Sequence, residues 1–354
     1  MFSTLAIKNF RGIQLLTLTG LRRINLISGR NNSGKTSVLE SLFMLSGASN
    51  PLFTMKIGQL RGQRSAGGNG DGVWRSLFHE MNPRTPILLR GAWNAEARER
   101  QLEIEALQVA SYSMDASSSE GVSADTDDFE IGGLQLRYAP AADDEVVTKA
   151  IFDPRTGNVD APGRQRPDFF RSSFLSARSY SSLDRDANQF SHLVRIKQDG
   201  DVLMAMRIIE SRIKRIEVLS ENGGPAVYVD LGFDSLIPLP ACGEGFVRLF
   251  SIIVELTACR GGVLLIDEID NGLHYSVLEA LWALLGALAA KHDVQVFGTT
   301  HNDDLIRSAL QAFSGEPAIL GLYRIDRMPT GHVAVSYNDE SRQAVMEEHF
   351  EVRG

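Results

Sequence analysis

The stretch from Arg22 to Leu45, RRINLISGRNNSGKTSVLESLFML, restricts the fold of this chain more than any other part. Gly29, Gly34, Lys35 and Thr36 complete the pattern G-x-x-x-x-G-K-[ST]. The apolar run Ile24, Leu26, Ile27 ahead of it predicts a short buried strand, while Val38, Leu39, Leu42 and Phe43 behind it recur at helical spacing. Strand, glycine loop and helix in that order make a P-loop. Its glycines let the backbone curl so that successive N–H groups point at one anion, with Gly29, Arg30, Asn31, Asn32, Ser33, Gly34, Lys35, Thr36 and Ser37 as the candidate binding residues. The helix start adds its positive end to the same spot. The pattern implies nucleotide phosphates there, with Lys35 on the β- and γ-phosphates and the Thr36 hydroxyl on Mg²⁺.

A second half of such a site stands far downstream, at GGVLLIDEIDNGLH from Gly261 to His274. An apolar run ending in two carboxylates is the form of a Walker B strand: burial excludes water, and the strand end delivers the acids. Asp267 would bind the metal shell, and Glu268 would orient the attacking water or take its proton. One helix later a second strand, Val294 to Thr299, leads to His301, placed to sense the γ-phosphate. Lysine, acids and histidine follow the order expected of a parallel sheet with its ligand at the strand carboxyl ends.

Together NFRG, GRNNSGKTSVLE, the region PLPACGEGFVRL, LLIDEIDNGLH and TTHN resemble the ABC-type ATPases of the OLD, RecF and SMC kind, strongly over residues 1–45 and about 230–310. The resemblance implies an α/β P-loop ATPase head with a mixed sheet core, an antiparallel β-lobe and a helical lobe. It implies ATP and Mg²⁺ as cofactors, a homodimer or higher oligomer closing around ATP, and an effector protein on another chain in prokaryotic genome defence. Gly243, Glu244 and Gly245 would then open a signature helix (Phe246, Leu249, Ile252, Ile253) facing the γ-phosphate of the partner head. Two departures stand out: Ala241 replaces the signature serine, and no glutamine clearly takes the usual place after the β-lobe, Arg178 and Gln189 being weak substitutes. SMC-length heptads and an appended nuclease domain are both missing from this sequence. A RecF-like DNA-binding mediator and an ATP-responsive scaffold with little turnover remain alternatives.

Composition narrows the partners. With 44 acidic against 36 basic side chains the net charge is −8, so a strong overall field for nucleic acid is absent. Cys242 and Cys259 form no C-x-x-C pair, and no signal sequence opens the chain, which points to the cytoplasm. The apolar segment Ala280 to Ala290 reaches about half the ~20 residues of a membrane span and reads as a core helix.

The rest predicts one head over 1–354: P-loop and β-lobe to 175, helical lobe with signature over 176–260, Walker B and closing elements from 261. Short strands are expected before the P-loop, at Leu5 to Ile7 and Leu15 to Leu18, with Arg11 either at the surface or swung toward the nucleotide. Residues 46–72 read as a polar, glycine-rich mobile connection and 112–128 as a flexible loop. Alternation predicts strands within 86–109, 133–138 and 146–152, a turn at 161–168, and an exposed polar run opening at Phe174. Val202, Met206, Ile209, Ile213 and Ile216 suggest one helix over 201–219 with a basic face. A helix from Asp303 and strands at 319–325 and 333–337 would close the chain.

Overall fold

The computed structural model describes residues 1–61, 71–93, 98–108, 130–139, 145–153, 158–161, 171–177, 183–221, 224–338 and 341. Two antiparallel strands, β1 (Thr4–Phe10) and β2 (Ile13–Thr19), precede the P-loop strand β3 (Ile24–Ser28) and its helix α1 (Lys35–Ser46). Helices α2 (Leu52–Leu60) and α3 (Asp71–Arg75) lead into the lobe strands β4 (Ile87–Trp93), β5 (Arg98–Gln108), β6 (Ile131–Ala139), β7 (Val146–Asp153) and β8 (Asn158–Asp160). These five join β1 and β2 in a seven-stranded antiparallel sheet of order β2-β1-β4-β5-β6-β7-β8. Strand β9 (Ser172–Leu175), helices α4 (Leu183–Arg195) and α5 (Asp199–Ile209), and strands β10 (Arg215–Glu221), β11 (Gly224–Asp230) and β12 (Ile237–Pro238) follow, the last three forming a small sheet. The chain then runs through α6 (Glu244–Ala258), β13 (Val263–Ile266), α7 (Leu278–Lys291), β14 (Gln295–Thr299), α8 (Asp303–Ala312) and the hairpin β15 (Leu320–Met328) and β16 (Gly331–Ser336).

What positions the site is the six-stranded central sheet, ordered β16-β15-β3-β14-β13-β9 and parallel throughout except for β16. Its three inner strands β3, β14 and β13 are short and buried at every residue because both faces are covered. On one face Leu26, Leu264, Ile266, Val296 and Leu322 pack against the helical lobe; on the other Ile27, Val263, Leu265, Phe297 and Ile325 pack against α1 and the lobe sheet. Alternate residues of a single strand thus enter different cores, as a period of two demands. In register, Leu26 of β3 and Ile266 of β13 both oppose Gly298 of β14, so the P-loop strand and the acid-bearing strand are one strand apart and end level.

The structure corrects three sequence expectations. The helix expected over 201–219 ends at Ile209; Ile213 lies in the turn that follows and Ile216 in β10, paired with Val229 of β11. Ile216 is buried in the core from the strand instead, and Arg207 ties down the turn by donating to the carbonyls of Ile213 and Lys214, each at 2.7 Å. The basic face is not free either: Arg212 pairs with Glu210, and Arg215 with Glu217 and Asp230. Within the connection expected over 46–72, Leu52–Leu60 is helix α2, with Phe53, Thr54 and Ile57 buried. Residues 62–70 fall outside the described residues, as does the loop expected over 112–128. Lastly, Phe174 and Leu175 open no exposed run; they are buried in β9, the edge strand of the central sheet beside β13. The apolar segment at 280–290 lies in α7, and among the described residues no helix is long and apolar enough to cross a membrane.

Candidate nucleotide site

The loop after β3 is shaped by three left-handed residues, Gly29 (φ 140°), Asn32 (φ 64°) and Gly34 (φ 97°), the last forming the N-cap of α1. Gly29 cannot carry a side chain, since a Cβ there would run into the carbonyl oxygen of Ile325 and lie 2.8 Å from Ser33 Oγ. Ser33 Oγ is buried and finds no hydrogen-bond partner among the described residues. An unpaired buried hydroxyl inside a ring of backbone amides fits an incoming anion that accepts from it. Lys35 is 9% exposed and donates to the carbonyls of Gly29 (2.6 Å) and Arg30 (2.8 Å), folded onto its own loop. Burial pushes its ammonium pKa down, while Asp267, Glu268 and Asp270 oppose that shift.

Asp267 and Glu268 leave the end of β13 directly beneath this loop. Thr36 Oγ1 donates to both carboxylate oxygens of Asp267, at 3.0 and 3.2 Å, and Thr299 Oγ1 donates to one of them at 2.7 Å. Glu268 takes a left-handed backbone, φ 48°, which for a non-glycine residue costs on the order of 1–3 kcal/mol. That conformation is held by Thr299 Oγ1 accepting from its N–H at 2.9 Å. A cavity of about 550 Å³ joins the loop residues Asn31 to Ser37 to Asp267 and Glu268. A hydroxyl beside a carboxylate, with phosphate oxygens to complete the shell, is the hard-oxygen donor set that Mg²⁺ prefers.

Other expected site residues lie elsewhere. His301 follows β14 and is exposed, outside the lining of the P-loop cavity. Gly243 and Glu244 are exposed and Gly245 half-buried at the start of α6, and none of the three lines that cavity in its own chain. Gly245 instead abuts the loop after β13: a Cβ on it would stand 2.5 Å from the carbonyl oxygen of Gly272. Gln189 lies on α4 and does not line the cavity, and Arg178 is outside the described residues.

Of the other residues that line the cavity, Arg11 is a candidate in the sequence, whereas Arg61, Arg327 and His332 carry no signal there. Arg11 is 8% exposed and so not a surface arginine; it lines the P-loop cavity, where Glu40 of α1 accepts from its Nε at 3.2 Å. The same carboxylate accepts from Arg61 Nε at 2.5 Å and Nη2 at 3.0 Å, which sets two arginines along the cavity wall. Arg327 and His332 of the closing hairpin line it from the other side. Glu40 is the one acid on the buried helix α1, and its charge there is a clue that the sequence offers.

Residues 1–105 match the family model described as AAA ATPase domain. Residues 109–307, more than half of the chain, match the one described as AAA domain, putative AbiEii toxin, Type IV TA system. An ATP/GTP phosphatase of Helicobacter pylori is 22% identical over 356 residues, covering 86% of each chain. A DNA replication and repair protein RecF of Pseudoalteromonas translucida is 50% identical over 44 residues, only 12% of either chain. Among solved structures, the Smc head bound to the C-winged helix domain of ScpA superposes with a TM-score of 0.51 at 12% identity, covering 97% of this chain and 99% of that one. The fold is therefore that of the SMC-type ABC-ATPase head.

Proposed function

The chain belongs to the AAA ATPase family, of the AbiEii-type AAA-domain kind, and on that premise we propose that it binds ATP over the P-loop and hydrolyses it to ADP and phosphate. The observation that carries the reading is the contact of Thr36 with Asp267, which joins the two halves of a metal–phosphate site across 231 positions. In this reading the loop amides and Ser33 Oγ receive the phosphates, and Lys35 exchanges the carbonyls of Gly29 and Arg30 for phosphate oxygens. Thr36 and Asp267 would hold Mg²⁺, which when bound neutralises charge on the phosphates. Glu268 orients a water molecule and takes its proton as the oxygen attacks phosphorus and the bond to ADP breaks. His301 is proposed as a sensor of the γ-phosphate by hydrogen bond.

The proposal extends to a homodimer. Gly243, Glu244 and Gly245 stand away from their own cavity on an accessible helix start, where a second copy's nucleotide would meet backbone amides and a favourable dipole. ATP would then time the closing and opening of two heads, and a separate effector protein would read that cycle, in keeping with a role in prokaryotic defence. A RecF-like DNA-binding reading is less favoured, because the basic residues around β10 are paired with acids.

The test compares wild type, Lys35→Ala and Glu268→Gln for ATP affinity, phosphate release and mass in solution. Mg²⁺-dependent release is expected from wild type, loss of binding from Lys35→Ala, and from Glu268→Gln retained binding, no turnover and a doubled mass with ATP. Turnover by Glu268→Gln at the wild-type rate would remove the role given to that carboxylate.

A further inference from the structure

Arg248 lies one turn into α6; its guanidinium bonds to backbone carbonyls, and the carboxylates of Asp267, Asp186, Asp270 and Glu268 act on its charge from nearby. Nη1 donates to Ser176 O at 3.2 Å, and Nη2 donates to Asp267 O at 2.7 Å and Glu268 O at 3.3 Å. Three carbonyls from the ends of two neighbouring parallel strands thus converge on one planar fork. The Glu268 carbonyl also accepts from the N–H of Asn271 at 3.0 Å, and Asn271 in turn donates through Nδ2 to Ala177 O at 3.0 Å. The left-handed peptide at Glu268 is therefore pinned on its N–H side by Thr299 and on its carbonyl side by Arg248.

A second contact links the same helix to the same loop. Gly245, one turn ahead of Arg248, meets the Gly272 carbonyl so closely that no side chain fits between. The first turn of α6 accordingly touches the acidic loop at both ends, at Gly272 and at residues 267–268. A rigid helix that shifts or tilts at its exposed start must carry the carbonyls of Asp267 and Glu268 with it or give up these bonds. Interiors packed at this density transmit such a shift rather than absorb it.

We propose that Arg248 is the positioning residue that sets the orientation of Glu268, and that through it the position of the α6 start governs hydrolysis without governing nucleotide affinity. The proposal rests on the ATPase reading above for its kinetic part only. Arginine is required chemically, since a fixed planar fork can serve three carbonyls at once whereas an ammonium is a single point of charge on a flexible stem. Arg248 touches no phosphate in this arrangement; it acts through the peptide groups that aim the carboxylate. A displacement of about 1 Å at a reacting group is enough to lower a rate by about a hundredfold.

The test uses full-length Arg248→Lys and Arg248→Met. Three quantities are measured: equilibrium affinity for a fluorescent ATP analogue with Mg²⁺, single-turnover phosphate release, and hydrogen exchange of the Ile269 and Asn271 amides without nucleotide. Expected are an affinity close to wild type, release slowed about a hundredfold in both variants, and faster exchange at Ile269 and Asn271. Lysine keeps the charge and most of the packing, so equal slowing by Lys and Met separates orientation from simple filling of the helix–sheet contact. Wild-type release in Arg248→Lys, affinity lost in step with rate, or unchanged exchange in both variants would each overturn the proposal. Should wild type release no phosphate, the ATPase reading fails by itself, and the exchange measurement still judges Arg248.

Discussion

Thr36 Oγ1 lies 3.0 Å from Asp267 Oδ1 although 231 positions separate the two residues, and Thr299 Oγ1 holds the same oxygen at 2.7 Å. Two hydroxyls converging on one carboxylate fix its direction before any ligand arrives, which is the condition for a metal site that costs little to organise. Asp267→Asn keeps the shape and removes the charge. Its Mg²⁺-dependent phosphate release is expected to fall about a hundredfold, an effect of about 3 kcal/mol, while nucleotide affinity measured without Mg²⁺ stays near wild type. Parallel titrations with and without the metal check this.

Glu40 is 1% exposed in its side chain and lies between Arg11, 6% exposed, and Arg61, 38% exposed. Removing the carboxylate leaves the Arg11 cation buried without a countercharge, so Glu40→Ala is expected to cost about 3–5 kcal/mol in urea unfolding. Arg61→Ala removes a solvent-screened partner and should cost under about 1 kcal/mol. Equal losses from the two variants would contradict this account of the pair.

Two glycines in helices should respond in opposite directions to alanine. Gly245→Ala forces a methyl group against the Gly272 carbonyl, where only backbone could give way, and is expected to destabilise by about 1–3 kcal/mol. At Gly200, in the first turn of α5, a Cβ would meet nothing within 4 Å. Gly200→Ala should therefore stabilise by about 0.4–1 kcal/mol, chiefly by restricting the unfolded chain. Thermal melts of both variants read the signs directly.

Gln295, fully buried at the start of β14, ties the N-terminus to the central sheet. Its Oε1 accepts from Phe2 N–H at 2.7 Å, and its Nε2 donates to Phe2 O and Arg22 O, each at 2.8 Å. Gln295→Leu keeps the bulk and strips all three of these bonds from the backbone that joins the N-terminus to the sheet. A loss of about 3 kcal/mol is expected, with faster exchange of the Phe2 amide before the rest of the lobe.

The two thiols should differ in reactivity. Cys259 is 5% exposed, and burial, reinforced by Glu255, pushes its pKa far up, so the thiolate that reacts is scarce. Cys242 is half-buried and its thiol is raised chiefly by burial, then by Glu210. Folded protein should label at Cys242 alone and at both cysteines only in denaturant, as counted by mass.

The P-loop, β13, α6, α7, α8 and the closing hairpin were all legible in the sequence, because each is specified by the spacing of its own apolar residues and the glycines or carboxylates at its ends. Where that local pattern was short or ambiguous, it misled. Two apolar residues at 174–175 could not announce a buried edge strand, and the helical spacing from Val202 runs on past the end of α5 to Ile216, where pairing with β11 makes a strand instead. The residue types proposed to hold phosphate and metal were determined by the sequence alone. Tertiary structure decided which groups face them: Arg11 and Arg61 on Glu40, Thr299 on Asp267, Arg248 on the carbonyls behind Glu268. Those contacts depend on parallel strands ending level, and that register is set by burying both faces of a sheet assembled from distant segments, a condition that no window of neighbouring residues contains.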